Sequence, residues 1–216
     1  MRNLLKTSLE KLLVVPGIKL ARKRPSLPLI AGVRLLNGIQ MTARQLQLIM
    51  KAIQKKAPCK FLVFGLGNDS VFWSLLNQGG ETVFLEDNPV WFHKITKRTP
   101  EITAYLVVYD TLRKDWKRLL ESPSLLEVSL PEAIKEQDWD IVLVDAPAGY
   151  DDNTPGRMKS IYTASKLVKN AGDVFVHDCN REIEDIFCNN FLKEENLTSE
   201  IKSPIGNLRY YNIMNR

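Results

Sequence analysis

The sequence predicts a doubly wound α/β fold, and three observations carry that prediction. Five short runs, KFLVFG, TVFLE, AYLVVY, DIVLVD and DVFVHD, are almost uninterrupted Val, Ile, Leu and Phe, as strands covered on both faces require. Segments of helical period separate them, the alternation that builds a parallel sheet between two helix layers. A glycine turn, Gly65-Leu66-Gly67, ends the first run and opens the next helix. Glycine lets the backbone approach a ligand, and a helix N-terminus offers unpaired N–H groups.

The elements follow in order. Leu4, Leu5, Leu9, Leu12 and Leu13 recur at helical spacing, predicting an amphipathic helix over 3–15 that ends before Pro16-Gly17. Pro25 and Pro28 then mark a linker. Thr42 can cap a helix over 43–56 that stops before Pro58. Later helices are expected over 69–77, 89–98, 111–120, 155–169 and 180–193. The tail LTSEIKSPIGNLRYYNIM lacks helical period and carries a Gly206-Asn207 turn signal, so it reads as a terminal hairpin. We divide the chain into a basic N-terminal extension, 1–40, and one domain, 41–216.

Composition narrows the function classes. A chain of 216 residues with 44% hydrophobic content can bury one sizeable core. The apolar start is interrupted by Lys6, Glu10 and Lys11, which fits neither a spanning helix nor a cleavable signal, so the expected location is cytoplasmic. Cys59, Cys179 and Cys188 form no CxxC pair, against a disulfide framework or a thiolate zinc site. The net charge of +5 hides an asymmetry: residues 1–60 carry +12 and the remainder −7. Such an arm can touch a membrane surface peripherally, but no interleaved aromatics support a nucleic-acid partner.

Ligands of open α/β sheets sit at the carboxyl ends of strands, near the switch in strand order. Those ends are Gly65 to Ser70, Glu86-Asp87, Tyr109-Asp110, Asp145 and His177-Asp178. Ser70 stands where a dinucleotide fingerprint wants its third glycine, and Asp69 would repel a diphosphate but attract a cation. Glu86, 21 residues beyond Gly65, can accept hydrogen bonds from ribose hydroxyls. A glycine turn with acids at several strand ends describes a site for S-adenosylmethionine, whose sulfonium, amine and ribose favour that environment.

The segments APCKFLVFGLGNDSVFW, TVFLEDNPVWF, WDIVLVDAPAGYDDNTPGRMKSIYTA, VFVHDCNREIEDIF and GNLRYYNI together resemble the glucuronoxylan 4-O-methyltransferases and irregular-xylem proteins of plant xylan biosynthesis. The resemblance runs from about Pro58 to the end. It implies a Rossmann-like methyltransferase sheet of seven strands, the last antiparallel, with S-adenosylmethionine bound at Gly65, Gly67, Asp69, Ser70 and Glu86. It also implies O-methylation of a carbohydrate hydroxyl, with the 4-hydroxyl of a glucuronic-acid residue as the family's example. The partner expected is a uronic-acid glycan or a small carbohydrate.

A sugar hydroxyl is a poor nucleophile and gains from a positioned base. Asp145, before the turn Ala146-Pro147-Ala148-Gly149-Tyr150, is the first candidate for base or orienter. His177 and Asp178 share its edge, and histidine suits proton transfer near neutrality. Arg157 could pair bidentately with a substrate carboxylate or form a salt bridge with Asp151 or Asp152. Tyr150 could stack on a sugar or fill the base of its loop. The four tryptophans read as core. Two alternatives stay open: a non-catalytic scaffold or carbohydrate-binding protein of this fold, and a metal-dependent small-molecule O-methyltransferase with a divalent cation on Asp145, Asp178 and Asn180.

Overall fold

A computed structural model describes residues 16–23 and 26–214. The amphipathic helix expected over 3–15 lies outside them. Pro16-Gly17, expected to follow a helix, belongs to one: residues 16–23 form α1, with Ile18 and Ala21 buried. Of the expected linker, Pro25 also lies outside the described residues, and the Pro28 half is corrected. Pro28 lies in the first turn of α2 (Leu27–Asn37), where a missing N–H costs nothing and a fixed φ helps. Gly38 ends α2 in the left-handed conformation (φ 63°), its N–H returned to the Arg34 and Leu35 carbonyls.

α3 (Ala43–Lys56) starts at Thr42 with a capping box closed by Gln45. The chain then alternates through β1 (Lys60–Phe64), α4 (Ser70–Leu76), β2 (Glu81–Glu86), α5 (Pro89–Arg98) and β3 (Thr103–Leu106). The helix expected over 111–120 is shorter, a 3₁₀ turn at Arg113–Asp115 leading into α6 (Trp116–Glu121). After α7 (Glu132–Lys135) come β4 (Trp139–Val144), α8 (Met158–Leu167), β5 (Val168–His177) and α9 (Glu182–Phe191). The tail forms the hairpin β6 (Leu197–Ile201) and β7 (Leu208–Ile213).

One seven-stranded sheet results, in the order β3-β2-β1-β4-β5-β7-β6. Its first five strands are parallel, and β7 enters antiparallel between β5 and β6. Alternate residues of each central strand feed two cores. Phe61, Val63, Ile141, Leu143 and Phe175 pack with α1 to α5, whereas Leu62, Phe64, Val142, Val144 and Val176 pack with α6 to α9. Burial on both faces explains why the strands read as continuous apolar runs. Trp73 and Trp139 are core as expected, but Trp91 is half-buried at the sheet's carboxyl edge. Among the described residues no helix is long and apolar enough to cross a membrane.

Candidate active site

The strand order reverses between β1 and β4, and there a cavity of about 540 Å³ opens at the strands' carboxyl ends. Four segments build most of its wall: the α2–α3 loop Gly38 to Met41, the turn after β1, Glu86 to Asn88 with Trp91, and the loop after β4 from Asp145 to Tyr150. Arg157, Asp178 and Arg181 complete it.

The expected donor-side residues converge. Gly65 takes φ 120°, and a β-carbon there would stand 3.3 Å from that of Ala146, so the two loops meet across glycine. Ser70 is buried and its hydroxyl accepts the Gly67 N–H at 2.9 Å. Glu86 fastens the turn to the next strand: Oε2 accepts from Leu66 N at 2.9 Å and Oε1 from Asn88 N at 3.0 Å. Each oxygen keeps a second lone pair for a ligand hydroxyl. Burial pushes the Glu86 carboxyl up despite these bonds. Asp69 sits at the N-cap of α4 without capping it; its Oδ2 accepts Trp73 Nε1–H at 2.9 Å instead. Burial, then the charge of Asp145, pushes Asp69 up to about 6. Trp91 Nε1 donates to the Leu66 carbonyl, locking α5 to the glycine turn.

The opposite wall is an ion network. Arg157 is buried, and its Nη2 reaches Asp145 Oδ1 at 3.1 Å and Asp178 Oδ2 at 2.8 Å, while Nη1 donates to the His177 carbonyl. The salt bridge considered with Asp151 or Asp152 does not form, and internal partners occupy the fork once offered to a substrate carboxylate. Burial alone would raise Asp145, but the adjacent His177 imidazole and Arg157 guanidinium hold it below the usual carboxylate range. His177 lies behind this wall: Nδ1 stands 3.0 Å from Asp145 Oδ1, and the buried Nε2 has no hydrogen-bond partner. Asp178 adopts φ 65° and takes a second guanidinium, Arg181 Nη2, at 2.9 Å.

The remaining candidates separate. Tyr150 is 75% exposed on the cavity rim, so it does not fill the base of its loop. Tyr109 bonds Ser160 and Asp110 pairs with Lys159, away from the cavity wall. Asn180 Oδ1 accepts from Asn207 N at 3.0 Å. With Arg157 between Asp145 and Asp178 and Asn180 engaged elsewhere, these three do not pool oxygens for a cation. Among the described residues no group of three or more His, Cys, Asp or Glu could hold a metal ion.

Sequence reasoning missed the α2–α3 loop, Trp91 and Arg181. Gly38 before the Thr42 cap was the available signal for the loop, because a helix stop and start four residues apart define a tight connection. Trp91 and Arg181 carried no local signal, since only tertiary packing turns them toward the cavity.

The sheet order and the cavity at its reversal define a methyltransferase fold. The precorrin-6Y C5,15-methyltransferase of Geobacter metallireducens is similar with a TM-score of 0.53, at 13% identity over 81% of this chain and 90% of that one. The profile of the IRX15/IRX15L/GXM family matches residues 44–127 and 121–208, and the chain belongs to that family. Glucuronoxylan 4-O-methyltransferase 2 of Arabidopsis thaliana is 40% identical over 200 residues, 81% of this chain and 66% of that protein. Arabinogalactan O-methyltransferase 2 of the same plant is 35% identical over 201 residues, 82% of this chain and 68% of that protein. The chain thus spans about two thirds of the length of these relatives.

Proposed function

We propose that the chain is an S-adenosylmethionine-dependent O-methyltransferase acting on a carbohydrate hydroxyl, with a glucuronic-acid residue of a polysaccharide as the acceptor class. One observation carries the reading: a single cavity sets Glu86 and Asp69 on one wall and the arginine-bound pair Asp145 and Asp178 on the other. The two named Arabidopsis relatives support the acceptor class.

S-adenosylmethionine, when bound, supplies an electrophilic methyl on a sulfonium. Glu86 fits the ribose hydroxyls, and Gly65 and Gly67 leave room for close backbone approach. Asp69 favours the ligand's positive charge once ionised. On the other wall Asp145 accepts a hydrogen bond from the acceptor hydroxyl. Asp145 would take the proton that the acceptor hydroxyl gives up on methylation. A carboxylate held low is a weak base, so orientation contributes more than proton affinity. Arg157 fixes Asp145, and His177 supports it from behind. Tyr150 offers an exposed ring on which a sugar can stack.

Incubation with labelled S-adenosylmethionine and a panel of uronic-acid glycans, with and without EDTA, tests the proposal. Label is expected on a glycan in both conditions and is expected to vanish in Asp145→Asn. Donor binding without transfer to any glycan would favour the scaffold reading, and transfer lost in EDTA would restore the metal-dependent one.

A further inference from the structure

Gln45 is fully buried on α3, and its one amide spans two distant parts of the chain. Its Oε1 accepts from the Thr42 N–H at 2.8 Å and from the Thr42 hydroxyl at 2.9 Å, closing the capping box. Its Nε2 donates to the Gly206 carbonyl at 2.7 Å, 161 residues away. Thr42 directly follows the loop that lines the cavity at Gly38 to Met41. Gly206, at φ 118°, presses on the opposite wall: a β-carbon there would stand 2.2 Å from Asp178 Oδ1 and 2.9 Å from His177 Cε1. A capping box needs only the acceptor half of this amide. The donor half joins the loop over the donor site to the hairpin that supports the Asp145 network.

We propose that Gln45 is a positioning residue for methyl transfer, holding the Gly38–Met41 loop and the Gly206 hairpin at a fixed separation behind the cavity wall. The inference rests on the methyltransferase reading above. Gln45 touches no reacting atom; it acts through Gly206 on His177 and Asp178.

Gln45→Glu separates this role from simple stability. The introduced carboxylate, when ionised, still accepts from Thr42 but sets an acceptor against the Gly206 carbonyl. When protonated, the same side chain donates to that carbonyl and rebuilds the link. His177 and Asp178 stand just behind Gly206, and Asp178 is already paired with Arg157 and Arg181. With the full chain, kcat of Gln45→Glu relative to the parent is expected to fall as pH rises. At alkaline pH the loss should be roughly tenfold or more, within the 10²-fold that a 1 Å misplacement can cost, and most of it should return at acidic pH. Thr42→Ala serves as the control: it should lower Tm with little change in kcat. A kcat ratio for Gln45→Glu that is flat with pH, or a loss that follows Tm equally in both variants, would overturn the proposal. Absence of methyl transfer in the parent chain would instead overturn the underlying reading.

Discussion

Arg157 and Asp178 meet at 2.8 Å, the guanidinium Nη2 against carboxylate Oδ2, and the same nitrogen also reaches Asp145. One buried cation therefore holds two carboxylates at the cavity wall. Removing it takes one counter-charge from each acid, leaving Asp178 to Arg181 and Asp145 to His177, and breaking a buried pair this way costs about 3–5 kcal/mol. Arg157→Met is expected to lose stability of that order in urea unfolding, and methyl transfer with it. Arg157→Lys should recover part of the stability but little activity, since an ammonium lacks the fork that also binds the His177 and Asp145 carbonyls.

Asp145→Asn keeps the shape of the wall while removing its charge. We expect transfer to fall by roughly 10²–10⁴-fold, the usual contribution of a positioned acid or base. Donor affinity, read by calorimetry at alkaline pH where Asp69 is ionised in both proteins, should change far less, because Glu86 and the glycine turn lie on the other wall.

Desolvation at the cavity wall and the charge of Asp145 push Asp69 up to about 6 from its ordinary 3.8. The sign follows from proton binding: the folded chain holds this proton more tightly than the unfolded one. The associated stability is complete below 3.8 and is lost as pH rises through about 6. Donor binding runs the opposite way, since only the ionised carboxylate attracts a cation. Affinity for S-adenosylmethionine is expected to rise through that window, and Asp69→Asn should flatten the dependence. A pH series of calorimetric titrations on both proteins reads it directly.

Substitution can separate the two backbone hydrogen bonds that Glu86 makes from the donor binding proposed for it. Glu86→Ala strands the Leu66 and Asn88 N–H groups, at about 1–3 kcal/mol for each group left buried. Glu86→Gln retains one acceptor oxygen. It should therefore unfold nearer the parent Tm while still losing donor affinity, a split that thermal shift with and without S-adenosylmethionine will show.

Much of this architecture was legible because it depends on local pattern. The apolar runs located β1 to β5, and the N-cap Thr42 marked the start of α3 at Ala43. The acids at the strand ends were legible for the same reason, since parallel strands carry their last residues to one edge. Pairing was not legible. Arg157 lies near Asp151 and Asp152 in sequence, yet the fold turns it inward to Asp145 and Asp178. His177 looked like a cavity residue from its place at the end of β5; its side chain lies instead against Gly206, a contact made only when the hairpin folds back. Pro28 misled because proline ends a helix interior but fits its first turn.

The position of β7 between β5 and β6 has a consequence for biogenesis. The hairpin that supports His177 and Asp178 is synthesised after every strand that bears a site residue, and Gln45 waits 161 residues for its carbonyl partner. Closing so long a loop is entropically costly and comes late. A nascent chain can therefore pair its first five strands before its ion-paired wall is set, and a product cut short before Leu208 would retain the glycine turn and Glu86 but lack the hairpin behind His177 and Asp178.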